Sequence, residues 1–288
     1  MRFVQFKEGT FNGLGIEHAG ILRGLNENEA GYPGSLHDLL KAGEGALKTA
    51  HDRLSDARLL DPSKIRYLPP LERPGKIVCV GLNYADHTKE SPYEQPSYPT
   101  FFPRFATSLI GHGEPILRPR VSEQLDFEGE LAVVIGTGGR HITRERALEH
   151  VAGYAIFNEA SIRDYQFKSP QWTIGKNFDA TGAFGPTLVS ADELPAGASG
   201  LNLVTRLNGA VVQQGNTADM VFGVAELIAI LSEAVTLEPG DVIVTGTPAG
   251  IGWARRPPLF MKPGDLCTVE IQGLGTLSNL IADEPPAA

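Results

Sequence analysis

The chain has 288 residues, 42% of them apolar, which is enough to fill a sizeable core, and its 33 glycines and 21 prolines predict a turn-rich protein of many short strands. A formal net charge of −9 argues against nucleic acid or an anionic membrane as the main partner, since neither polyanion is attracted to it. No apolar run approaches a membrane span or a signal-peptide core, and Cys79 and Cys267 lie in separate strand-like runs without a CxxC or Cys/His cluster, so the expectation is a cytoplasmic protein with buried free thiols.

Residues 1–70 read as a small N-terminal domain, with strands near 2–6, 13–17 and 20–23 and a helix opening at Ser35, where Ser35 and Asp38 have capping-box spacing. The proline-rich stretch 68–75 marks a boundary, and residues 71–288 form the larger domain. There a buried strand over 76–81 leads into a helical segment that carries His87 and Glu90 on one face. A carboxylate beside a histidine fixes its tautomer and stabilises the imidazolium, which suits a general base; a solvated surface pair is the competing reading. Residues 91–100 hold three prolines, cannot form regular structure and are a candidate lid. Another strand begins at Thr100 and runs to Arg104, followed by an edge segment over 115–119.

The run Asp126-Phe127-Glu128-Gly129-Glu130 leads into Leu131-Ala-Val-Val-Ile-Gly136, an apolar strand. Alternate residues share a face, so Asp126, Glu128 and Glu130 point the same way with neighbours roughly 6.5–7 Å apart. Three like charges there need a cation or protons to offset them, or else they face water. Residues 143–150 predict a charged helix capped by Thr143, and a strand over 153–157 ends in Asn158-Glu159, a further carboxylate that could ligate a cation or pair with Arg163. Arg163 and Gln166 share one helical turn, and Lys176 could supply the positive charge that an acidic protein needs to hold an anion. Asn208-Gly209 joins strands over 201–207 and 210–214 as a hairpin, and 222–234 is an apolar helix. A strand then breaks into the Gly/Thr-rich loop Thr245–Gly252, whose backbone N–H groups can approach a small carboxylate; it is neither a Walker loop nor a dinucleotide fingerprint. Strands over 266–271 and 276–281 close the chain.

In order and spacing, Gly81-Leu-Asn-Tyr-Ala-Asp-His87, Glu128-x-Glu130, Arg163-Asp-x-Gln166, Gly175-Lys176, Gly185-Pro186, Asn208-Gly209 and Thr245-Gly-Thr-Pro-x-Gly250 resemble the fumarylacetoacetate hydrolase family over residues 76–282, including its acylpyruvase and 2-hydroxyhepta-2,4-diene-1,7-dioate isomerase-like members. The resemblance implies an α+β, predominantly β fold: a mixed β-roll with flanking helices, the small N-terminal α/β domain, and a homodimer. It implies a divalent ion, Mg²⁺ or Mn²⁺ with Ca²⁺ as a third candidate, held by Glu128, Glu130 and Glu159, the last standing where many members have Asp. Asp126 becomes a neighbour of the site. His87 and Glu90 match the family's dyad, Lys176 its anion-stabilising lysine, and Arg163, Gln166, Thr247, Tyr84 and Gly246 its substrate-binding positions. Arg104 stands near the place where many members have lysine. The implied activity on a small anionic 2-oxo acid is metal-dependent hydrolysis of a C–C bond in a 2,4-dioxo acid, of acylpyruvate or fumarylpyruvate type, from aromatic-compound catabolism. The alternatives are isomerisation, tautomerisation or decarboxylation of a 2-oxo acid on the same site, or ligand binding without catalysis.

Overall fold

The structure, a computed structural model, describes residues 1–90 and 94–286. A mixed eleven-stranded sheet forms its frame. From one edge the strands run Ile21–Asn26, Phe11–His18, Arg2–Glu8, Gly182–Ser190, Val151–Glu159, Gly129–Ile135, Val242–Val244, Ile77–Gly81 and Thr100–Pro103. Arg66–Tyr67 and Leu109–Ile110 join off this path. Two of the pairings are parallel, Val242–Val244 with Ile77–Gly81 and Leu109–Ile110 with Gly182–Ser190.

The central strand Gly129–Ile135 is buried along its whole length, which explains its continuous apolar sequence. Its two faces feed two cores. Leu131, Val133 and Ile135 pack with Leu203, Val269, Ile271 and Leu227, so this face meets a second sheet, Ala210–Asn216, Asn202–Leu207, Leu266–Ile271, Gly275–Asp283 and Ile116–Arg118, together with the helix Val224–Ala234. Ala132 and Val134 pack with Phe157, Leu36, Leu39 and Leu54, under the helices Leu36–Ala42 and Glu44–Ser55. The mixed sheet with flanking helices is the architecture that the sequence implied.

Local signals hold where the chain decides its own conformation. Ser35 caps its helix by accepting from the Asp38 N–H at 3.2 Å, and its hydroxyl donates to the Asp38 carboxylate at 2.6 Å. Asn208 and Gly209 both adopt positive φ, 52° and 83°, as the tight hairpin requires. The stretch 68–75 is a loop in which Leu68 and Leu71 are buried, and Arg2 and Phe3 pair with Val189 and Leu188. Two expectations fail for identifiable reasons. The helix over 143–150 shrinks to a 3₁₀ turn at Ala147–His150, because Arg144, Glu145 and Arg146 are all exposed and offer no apolar face to dock. The strand thought to begin at Asp126 is broken, since Leu125–Asp126 pairs with Ser161–Ile162 while Gly129–Ile135 pairs with Val151–Glu159. Of the expected lid, residues 91–93 lie outside the described residues and 94–99 are irregular. Among the described residues no helix is long and apolar enough to cross a membrane, and both cysteines are free and buried.

Gly129 lies where the two sheets are in close contact. A Cβ built on it would stand 2.3 Å from Thr205 Oγ1 and 3.0 Å from Val269 Cγ1. The Gly129→Ala variant should therefore lose about 1–3 kcal/mol of stability through overpacking, read as a lower midpoint in thermal or urea unfolding; an unchanged midpoint would mean that the sheets part there without strain.

Candidate active site

Antiparallel register brings three carboxylates together. Gly129 pairs with Asn158, and the Glu159 N–H donates to the Glu128 carbonyl at 2.8 Å, so Glu159 comes to lie across from Glu128, with Glu130 next along the same face. One oxygen from each of Glu128, Glu130 and Glu159 lies within 4.8 Å of the others, and the residues are 3%, 1% and 1% exposed. Three hard oxygen donors this close and this dry suit a small divalent cation. The charge balance agrees. Burial, with Glu159 and Glu128 beside it, pushes the Glu130 carboxyl well above the usual range, and Glu159 Oε1 is buried without a hydrogen-bond partner.

Two cations partly offset these acids. Lys176 Nζ donates to Glu128 at 2.6 Å and to Glu159 at 2.9 Å; burial favours its neutral form, but the two carboxylates override that and raise its pKa. Arg163 donates through Nε to Asp126 and through Nη1 to the Gln166 carbonyl, both at 2.8 Å, while Nη2 lies 2.6 Å from Glu128 Oε1. Burial alone would raise the Glu128 pKa, yet Lys176 and then Arg163 hold it down at about 2. All three Arg163 nitrogens thus face protein acceptors, and the residue also lines the cavity described below. Gln166 lines the cavity, and its amide nitrogen has no acceptor among the described residues.

His87 and Glu90 stand on the short helix Ala85–Glu90, with His87 Nδ1 2.9 Å from Glu90 Oε1. Gly250 donates its N–H to the same carboxylate at 2.9 Å, which docks the helix on the Gly/Thr-rich loop. Behind it, Asn83 clips the preceding turn in place by donating to the Thr245 and Phe222 carbonyls and accepting from the Phe222 N–H. His87, the three glutamates, Lys176 and Gln166 all line one cavity of about 470 Å³, counting the space at its mouth. Much of its remaining wall is aromatic. Phe102 and Trp172 meet edge to face at 5.5 Å, and Phe167 and Trp253 lie 4.9 Å apart. Trp172 covers Gly81 so closely that a Cβ there would sit 2.2 Å from the indole.

The loop Thr245–Gly252 does bind carboxylates, but they are the protein's own. Gly246 donates to Glu130 at 2.6 Å, Gly250 to Glu90, and Gly252 and Trp253 to Asp126 at 2.7 and 2.9 Å. Thr247 lines the cavity, yet its hydroxyl donates to the Gly129 carbonyl at 3.0 Å and accepts from Gln213 at 2.8 Å. Gly246 and Thr247 therefore do not present free donors to a substrate as expected. Tyr84 is 1% exposed and does not line the cavity, and burial raises its pKa. Asp126 does not converge with the glutamates but anchors Arg163 and the loop.

Gln213 went unseen in the sequence. From the second sheet its side chain accepts from the Gly129 N–H at 2.9 Å and donates to Thr247 and to the Pro248 carbonyl, tying the glutamate strand to the loop. Val212 and Gln213 are buried consecutively where the hairpin pairing slips, so strand alternation gives no sign of it.

Comparison with known proteins agrees with this architecture. The model of the fumarylacetoacetate hydrolase C-terminal region matches residues 76–282. Oxaloacetate tautomerase fahd2, mitochondrial, of Xenopus laevis is 42% identical over 286 residues, covering 97% of this chain and 89% of the relative. Oxaloacetate tautomerase FAHD2A, mitochondrial, of Homo sapiens is 41% identical over 288 residues, covering 98% of this chain and 91% of the relative. These names lend no support to a cytoplasmic location. Among solved structures, the fumarylacetoacetate hydrolase of Exiguobacterium antarcticum is 36% identical, with a TM-score of 0.87 over 99% of this chain and 100% of that one. On these matches, which run nearly end to end, the chain belongs to the fumarylacetoacetate hydrolase family.

Proposed function

We propose that the chain catalyses keto–enol tautomerisation of a small 2-oxo acid of the oxaloacetate type, with Mg²⁺ or Mn²⁺ held by Glu128, Glu130 and Glu159. The observation that carries this reading is the placement of the His87–Glu90 dyad on the same cavity as the three carboxylates and Lys176. The names of the two tautomerases that match nearly the whole chain support proton transfer over the C–C hydrolysis that the residues first suggested.

When bound, the cation supplies Lewis-acid polarisation of the 2-oxo oxygen and a seat for the adjoining carboxylate. The remaining work falls to side chains. Glu90 accepts from His87 Nδ1–H, which leaves Nε2 as the basic nitrogen that takes the proton from C3 and delivers it to the oxygen on C2 to give the enol, the reverse transfer restoring the ketone. Glu90 also stabilises the imidazolium formed meanwhile. The Lys176 ammonium donates to the oxygen on C2 as negative charge collects there. The Gln166 amide donates to the substrate carboxylate. Phe102, Trp172, Phe167 and Trp253 limit water in the cavity, which favours moving a proton over adding water to a carbonyl.

Hydrolysis of an acylpyruvate remains the second reading, because a histidine held this way also deprotonates water. Product analysis separates the two: hydrolysis yields two acids, whereas tautomerisation leaves the carbon skeleton intact. For the proposed reaction, followed by the ultraviolet absorbance of the enol, His87→Ala should lower kcat by about 10²–10⁴-fold while Mn²⁺ affinity measured by calorimetry is kept. Undiminished turnover in that variant would remove His87 from the chemistry. Dialysis against a chelator should abolish the reaction and added Mg²⁺ or Mn²⁺ should restore it; full activity in the metal-free protein would sink the cation requirement.

A further inference from the structure

Arg104 is a buried cation that the proposed reaction does not use. Its side chain is 0% exposed and approaches Glu159 at Oε1, the oxygen that Lys176 does not hold. Four contacts hold it: Nε donates to Ser108 Oγ at 2.9 Å, Nη2 donates to Thr181 Oγ1 at 2.8 Å and to the Ala160 carbonyl at 3.5 Å, and the guanidinium carbon lies 5.5 Å from the centroid of the Phe157 ring. Room for it comes from Gly182, directly opposite Glu159 in the sheet register, where a Cβ would stand 2.7 Å from Arg104 Nε. The remaining nitrogen, Nη1, is 3.5 Å from Glu159 Oε1. Both atoms are buried, and neither has a hydrogen-bond partner.

Two complementary orphaned atoms facing each other at 3.5 Å inside a protein are costly unless they serve one another. Glu159 is thereby gripped at both oxygens, Oε2 by the flexible Lys176 and Oε1 by a guanidinium that cannot move without breaking its bonds to Ser108 and Thr181. We infer that Arg104 is a positioning residue for Glu159: it fixes the rotation of that carboxylate so that Oε2 is presented to the space shared with Glu128 and Glu130. It touches no substrate. The inference rests on the reading of the three glutamates as a cation site. A lysine at position 104 would keep the charge but not the fork, since an ammonium is a single point and cannot hold Ser108, Thr181 and Glu159 in one plane.

Charge and positioning make opposite demands on metal affinity, which gives the test. A fixed positive charge near the site repels a divalent cation, so if Arg104 acted by charge alone, Arg104→Met would bind Mn²⁺ more tightly and Arg104→Lys would bind it as the wild type does. Positioning predicts weaker binding in both, by tenfold or more, measured by titration calorimetry of the full chain with Mn²⁺ alone. Unfolding midpoints of the metal-free proteins show whether each variant folds, and Arg104→Lys keeps the test open should Arg104→Met fail to fold. In a Glu159→Gln background, Arg104→Lys should cause no further loss, because the group it positions is no longer a carboxylate. Wild-type affinity in Arg104→Lys, tighter binding in Arg104→Met, or additive losses in the double variant would overturn the assignment. Failure of the underlying reading looks different: the wild type would then bind no Mn²⁺, or Glu130→Gln would bind it as tightly as the wild type does.

Discussion

Asp126, Glu128, Glu130 and Glu159 are all removed from water within one small region, and each must find donors inside the protein. An unpaired buried carboxylate costs several kcal/mol, more than any one local preference in this chain can oppose. Much of the surrounding structure is a response. Asp126 collects the N–H groups of Phe127, Gly252 and Trp253 and the Arg163 guanidinium; Glu128 collects Arg163 and Lys176; Glu130 collects Gly246. The loop after Val244, the turn at Arg163 and the segment carrying Lys176 hold their places because these acids need them. Glu130 has one backbone donor and two like charges alongside, and Glu159 Oε1 has no hydrogen-bond partner, a deficit of the kind that a cation offsets.

The same demand sets what faces the cavity. The donors most exposed to a ligand in the sequence pattern are taken up within the protein, the Gly246, Gly250 and Gly252 N–H groups by its acids and the Thr247 hydroxyl by the Gly129 carbonyl. What lines the cavity beside the glutamates is His87, Lys176, Gln166, Arg163, Thr247 and a largely aromatic wall. Polar contact is concentrated at the glutamate end of the cavity, and the aromatic pairs offer shape rather than hydrogen bonds.

What was legible in the sequence follows from short-range geometry. Strand parity placed Glu128 and Glu130 on one face, helical spacing placed His87 against Glu90, and a turn dipeptide located the second-sheet hairpin, all because those relations are fixed within a few residues. Parity failed at Asp126 because the strand changes partners between Asp126 and Gly129, and nothing local marks the break. Gln213, Arg104 and the cover that Trp172 gives Gly81 rest on contacts between residues far apart in the chain or on a slipped pairing. Glu159 was readable as a strand-end carboxylate, but its position opposite Glu128 depends on a register that only the folded sheet defines.

The first strands of the chain carry no chemistry, yet they finish the sheet on which the chemistry stands. Arg2 and Phe3 pair with Val189 and Leu188 on the strand Gly182–Ser190, whose other neighbour is the strand that ends in Glu159. Without that N-terminal cover the Leu188–Val189 end of the strand would present bare backbone, since Leu109–Ile110 pairs only with Gly182 and Ala183, and such an edge is a template for adding a strand from another molecule. A shortened chain that begins at the family-matching region would expose that edge to this hazard.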